Sequence, residues 1–145
     1  SGEGAAEAEA ELRMNRPEEQ AHRAIVQWLA YSLPRDWLFW HTPNGGGRSA
    51  AEAGILKALG TRAGMPDLFI LGPGCRLIAI EVKAPAPTLK RGGVSQAKPR
   101  ISEEQHRVIG QLAANGCPTL IARSIDDVES ALRNMGVLPQ QGRGK

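Results

Sequence analysis

Three ionisable residues stand where ionisable residues are expensive. Asp67 opens an apolar run at 68–71, while Glu81 and Lys83 interrupt the end of a second run at 77–82. Charge at the end of a buried strand is costly unless it is paired or bound to a metal ion. The two runs flank the turn Gly72-Pro73-Gly74. An antiparallel hairpin folded about Gly74 sets Asp67 directly across from Glu81, with Cβ atoms roughly 5 Å apart. Lys83, two residues past Glu81, falls on the same sheet face. A one-residue slip in the turn would undo this arrangement. Facing carboxylates repel, and a divalent cation between them relieves the repulsion. Oxygen-only ligands select hard ions, Mg2+ or Mn2+. A neighbouring ammonium suits activation of water or stabilisation of developing phosphate charge. The chemistry indicated is metal-assisted phosphodiester hydrolysis. Each residue also has an ordinary reading: Pro-Asp is a common turn pair, and Glu81 with Lys83 suits a solvated strand end.

The elements that must hold these residues are readable from pattern. Ala21, Ile25, Trp28 and Leu29 share one helical face, so a helix is expected from about 17 to 32. Pro17 suits its first turn, the acids at 18 and 19 suit its positive end, and Pro34 stops it. The aromatic stretch 36–42 reads as a strand, 43–49 as a glycine-rich loop, and 50–60 as a short helix ended by Gly60. Strands follow on either side of the Gly72–Gly74 turn. Residues 84–100 form a Pro/Gly-punctuated basic loop. Residues 101–116 make an amphipathic helix with Ser102 as N-cap and Gln105 completing a capping box. A fourth strand at 117–124 and a last helix capped by Ser124 or Asp126 close the order. Three early strands and a helical crossover to a fourth imply a mixed four-stranded sheet flanked by helices, an α/β fold.

At 145 residues the chain is one domain's worth, enough for a real core. Residues 1–15 read as a disordered or loosely helical acidic leader, 16–139 as the domain, and 140–145 as a disordered tail. No apolar run approaches the ~20 residues of a membrane span. Cys75 and Cys117 are too few and too far apart for a metal knuckle; two reduced thiols in a cytoplasmic protein are expected, with a disulfide the other reading. His22, His41 and His106 are dispersed, so neither a zinc site nor a histidine nucleophile is expected. Trp28, Trp37 and Trp40 suit core or interface. Residues 1–19 carry six acids against two bases, whereas the remainder carries 16 bases against 9 acids. A basic body behind an acidic leader fits a polyanion partner.

The motifs narrow this further. Pro66-Asp67, thirteen intervening residues, then Glu81-Val82-Lys83 resembles the PD-(D/E)xK nuclease pattern. In order, the stretches TPNGGGRS, GTRAGMPDLFIL, IAIEVKAP and ISEEQ, with LAANGCPTLIARSIDDVESAL after them, resemble the virus-type replication-repair nuclease (VRR-NUC) domain in its standalone phage and bacterial form. The resemblance spans about residues 17–138. It implies a restriction-endonuclease-like core with Asp67 and Glu81 as metal ligands, the Val82 carbonyl as a third, and Lys83 as the catalytic lysine. The family's first-helix acid falls on Glu18 or Glu19, with Glu18 favoured by counting back from Ile25–Trp28. Gln105 matches a glutamine that would bind near the site, although the capping box alone also accounts for it. Asn44 and Arg48 match the glycine-rich loop, which touches DNA backbone in this reading and is a simple turn in the other. The loop 84–100 is longer than in the simple forms of the family, and Lys90, Arg91, Lys98 and Arg100 within it are expected to contact DNA.

The expected function is therefore an Mg2+- or Mn2+-dependent, structure-selective DNA endonuclease with no organic cofactor. The resemblance implies branched DNA as substrate, a Holliday junction or flap in repair, and a homodimer in the cytoplasm of a bacterium or phage-infected host. One domain leaves no separate module for reading a cognate sequence, so selection by shape is the more natural expectation. Two rivals stand beside it: a non-catalytic DNA-binding module of nuclease fold, and a sequence-specific restriction-type endonuclease.

Overall fold

A computed structural model describes residues 2–14, 16–43 and 49–141, with the side chains of 10–14 left aside. Five α-helices and four strands lie along it. They are α1 (Gly2–Met14), α2 (Pro17–Ser32), β1 (Leu38–His41), α3 (Ala50–Ala58), β2 (Leu68–Gly72), β3 (Arg76–Val82), α4 (Glu103–Ala114), β4 (Thr119–Ala122) and α5 (Ile125–Asn134). The strands form one sheet in the order β1-β2-β3-β4. β1 and β2 are antiparallel, as are β2 and β3. The backbone N–H groups of Ala79 and Lys83 donate to the carbonyls of Pro118 and Ala122. Both chains thus advance four residues in the same direction, which is parallel pairing. The sheet is therefore mixed, as expected, with α4 as the crossover. Among the described residues no helix is long and apolar enough to cross a membrane.

Local chemistry accounts for the element ends. α2 begins with Pro17 at its first position and Glu18 and Glu19 in its first turn, and Leu33 closes it ahead of Pro34. Ser49, Ser102 and Ser124 cap α3, α4 and α5, each hydroxyl accepting a backbone N–H three residues on. Where the sequence reading expected a disordered or loosely helical leader, Gly2–Met14 is helical. Its run of Ala and Glu has the intrinsic preference for that. Residues 142–145 of the expected tail lie outside the described residues.

Two compact units divide the chain. The first holds residues 1–35, 82–99 and 121–145; within it α2 packs on α5, burying Ile25, Leu29, Val128 and Leu132. The second holds residues 36–81 and 100–120. Its core includes Phe69, Ala79 and Cys117, on which Met65, Leu77 and Leu112 of α4 pack. Phe69 and Ala79 are partners across the hairpin, and Trp40 stacks on Phe69 at 5.7 Å between ring centroids. Trp37 lies so close over Gly72 that a Cβ there would sit 2.2 Å from its ring. Trp37 and Trp40 thus both make packing contacts, Trp40 while 39% exposed. Both cysteines carry free thiols, Cys75 exposed and Cys117 buried.

Candidate active site

The hairpin register sets the site. Gly72 pairs with Arg76, Ile70 with Ile78, and Leu68 with Ile80. One step further, the same register opposes Asp67 to Glu81. The turn between the strands is a single 3-10 turn, Pro73–Cys75, with Gly74 at φ 73° and Cys75 at φ 58°. No residue is inserted or lost, so Asp67 and Glu81 share a face with Phe69 and Ala79.

Glu81 is 3% exposed and is the one charged residue in the buried class among the described residues. A buried carboxylate requires hydrogen bonds or a cation. One bond comes from Gln105, whose Nε2 donates to Glu81 Oε1 at 3.2 Å. The other end of the same amide is committed to the helix: Gln105 Oε1 accepts the Ser102 N–H at 2.9 Å, and Ser102 Oγ accepts the Gln105 N–H at 3.1 Å. The capping box and the site contact are therefore not alternatives. Capping consumes the oxygen and aims the nitrogen at Glu81.

Asp67 is half-buried, and its backbone is tied down from β1. Its carbonyl accepts both the Thr42 N–H and the His41 Nδ1–H, each at 2.8 Å. Behind it, Gly64 at φ 81° presses on the start of α4. A Cβ at this position would fall 2.7 Å from the Glu104 carbonyl oxygen and 3.1 Å from the Gln105 nitrogen. His41, Thr42 and Gly64 were not singled out from the sequence as part of the site. The β1–β2 register, which pairs His41 with Leu68, is what exposes the first two. For Gly64 the available signal was its place three residues before Asp67.

The remaining candidates lie as follows. Val82 is buried and Lys83 half-buried, at and just past the end of β3. Glu18 is exposed in the first turn of α2; Glu19 beside it pairs with Arg23 at 3.3 Å. Lys90, Arg91, Lys98 and Arg100 are exposed. The loop bearing the first two is more ordered than its composition indicated. Thr88 bridges to Val94, the Leu89 N–H donates to the Gly93 carbonyl, and Ser95 closes onto Pro87. Gly92 and Gly93 turn it with φ near +80°. The result is a short finger with Lys90 and Arg91 at its tip. Asn44 and Arg48 lie outside the described residues.

The donor set suits a hard divalent cation. Among the described residues no three His, Cys, Asp or Glu side chains are grouped as a metal cage. Two carboxylates opposed across a hairpin are all-oxygen donors, the ligand type that hard divalent cations take.

Comparison with known proteins bears on the family and the fold. The sequence model of the VRR-NUC domain matches residues 16–126. A solved structure described as a VRR_NUC domain protein superposes with a TM-score of 0.60 at 21% identity, covering 90% of this chain and 98% of that one. No curated protein matches the chain. With the family model covering most of its length, the chain belongs to the VRR-NUC domain family, a family of nucleases.

Proposed function

We propose that this protein is a metal-dependent, structure-selective DNA endonuclease. The reading rests on the hairpin register, which opposes Asp67 to a buried Glu81 held by Gln105. Asp67, Glu81 and the Val82 carbonyl would hold Mg2+ or Mn2+. Bound there, such an ion would supply Lewis-acid chemistry toward the scissile phosphate. Lys83 extends from the end of the strand that carries Glu81; its ammonium orients the attacking water and stabilises charge developing on the phosphate. Gln105 holds Glu81 in one orientation, so the carboxylate need not reorganise during the reaction. His41 and Thr42 fix the backbone of Asp67 in the same sense. Glu18 assists from the first turn of α2.

DNA would be gripped by Lys90 and Arg91 on the finger, by Lys98 and Arg100, and by Asn44 and Arg48. Branched DNA, a Holliday junction or flap, is the proposed substrate, and a homodimer the proposed working state. The test is cleavage of labelled four-way junction, 5′ flap, single strand and linear duplex by wild type and Lys83→Ala, with Mg2+, Mn2+ or EDTA. Cutting that requires metal, prefers a branched substrate and disappears in the variant is the expected result. Binding without cutting in every metal would overturn the catalytic reading. Discrete fragments from plasmid DNA would point to sequence-specific restriction instead.

A further inference from the structure

A second feature lies in the same unit as Asp67, Glu81 and Gln105. A cleft of about 760 Å³ opens between the end of β1, the segment leading to Asp67, and one face of α4. Its volume is in the range of sites that enclose small ligands, too small for a duplex. Met65, Val108 and Leu112 form an apolar floor. The polar rim is built rather than incidental. Arg62 donates to Gln111 Oε1 at 2.7 Å, and Asn115 Nδ2 donates to the Gln111 backbone carbonyl at 2.8 Å. These bonds occupy the amide oxygen of Gln111 and the amide nitrogen of Asn115, two residues that line the cleft, so the donor of the first and the acceptor of the second remain for a ligand. They also hold the guanidinium plane of Arg62 in place. An apolar floor, a flat cation and a donor beside an acceptor are what an unstacked nucleobase needs.

The position fits a neighbour of the reacting phosphate. Gln105 and Gln111 are six residues apart on α4, about 9 Å along its axis. Met65 and Thr42 line the cleft, and they stand two residues before Asp67 and on its carbonyl, respectively.

We infer that this cleft receives one unpaired nucleotide next to the scissile phosphate, its base on the Met65–Leu112 floor and its edge against Arg62, Gln111 and Asn115. The inference rests on the nuclease reading for the position of the phosphate. It supplies a physical source of structure selectivity. A paired base must be unstacked before it can enter, whereas an unpaired base at a flap enters at less cost.

The test is a flap-bearing DNA with 2-aminopurine, a base whose emission rises when it leaves the stack, at the unpaired nucleotide beside the cut. Binding is followed in EDTA and cleavage in Mg2+, for wild type, Arg62→Ala and Gln111→Ala, all at exposed positions. Emission should rise several-fold on binding wild type, and not when the probe is moved to a distant paired position. Each variant should lose most of that rise and cut the flap about tenfold more slowly at limiting DNA. No rise, or a rise and a cleavage rate equal in all three proteins, overturns the inference. The two readings fail separately: a rise lost in the variants with no cutting by wild type keeps the cleft and removes the nuclease, while cutting without the rise does the reverse.

Discussion

Gln105 and Glu81 are joined at 3.2 Å by an amide whose oxygen is already spent on the helix start. Stability and site geometry thus depend on the same side chain, and two substitutions separate them. Ser102→Ala removes one half of the capping box and should cost about 1 kcal/mol in urea melts, leaving cleavage within about threefold. Gln105→Ala should cost similar stability but withdraw a charge-assisted hydrogen bond worth about 1.5–3 kcal/mol, lowering cleavage at least tenfold. Equal activity losses in the two variants would mean that Gln105 acts only as a cap.

The second prediction concerns Gly64. An added methyl there meets the Glu104 carbonyl at 2.7 Å and must also adopt φ 81°. Gly60 is a control, since its φ is 100° but nothing lies within 4 Å of an added Cβ. Gly60→Ala should cost about 1–2 kcal/mol from backbone conformation alone. Gly64→Ala should add about 1–3 kcal/mol of overpacking and separate the Asp67 segment from α4. Its cleavage should therefore need more Mg2+ for half-maximal rate, a shift that Gly60→Ala should not produce.

How much of this was legible beforehand follows from where the information sits. The bounds of α2, the capping box and the register about Gly74 are written in nearby residues: Pro17 and Pro34, Ser102 with Gln105, and a turn placed midway between two apolar runs. The hold of His41 and Thr42 on Asp67 spans about 26 residues and needs the β1–β2 register, which nothing local determines. The approach of Gly64 to α4 is equally non-local, because its partner lies 40 residues on. The finger at Thr88–Val94 depends on two successive glycines taking positive φ, a freedom glycine has but need not use. Opposite the hairpin strands, pairing partners were legible; the shell that supports Asp67 was not.

The two thiols should behave differently. Cys75 is exposed and sits at φ 58°, where a side chain is disfavoured. Cys75→Asn, a residue more tolerant of that region, should raise stability by about 0.5 kcal/mol. Burial pushes the Cys117 thiol above its ordinary range, with a backbone contact at Ala79 pulling partly the other way. The folded state then holds its proton more tightly than the unfolded chain. Its contribution is fully present below the ordinary thiol pKa and is lost as pH rises through the elevated one. Stability should therefore decline in alkaline solution, and less steeply in Cys117→Ala. Iodoacetamide at pH 8 should label Cys75 in the folded protein and Cys117 only when urea opens it.

The finger gives a prediction about affinity rather than chemistry. Lys90 and Arg91 stand exposed at the tip of a turn closed by its own backbone bonds, and Lys98 follows within the same unit. Removing surface side chains there should change stability by less than about 0.5 kcal/mol. If each cation neutralises one phosphate, each loss lowers the slope of log K against log salt by about 0.9. The Lys90→Ala/Arg91→Ala double variant should thus lose a slope of about 2 and bind DNA about tenfold more weakly near physiological salt. Its rate at saturating DNA should stay near that of wild type, because the tip contributes no group to the Asp67–Glu81 site in this reading. Fluorescence anisotropy across a salt series, paired with single-turnover cleavage, measures both quantities. An unchanged slope would remove the finger from the DNA interface. A lost slope together with a lost saturated rate would mean that the finger also sets how the DNA lies across the catalytic carboxylates, and that binding and chemistry are coupled through it.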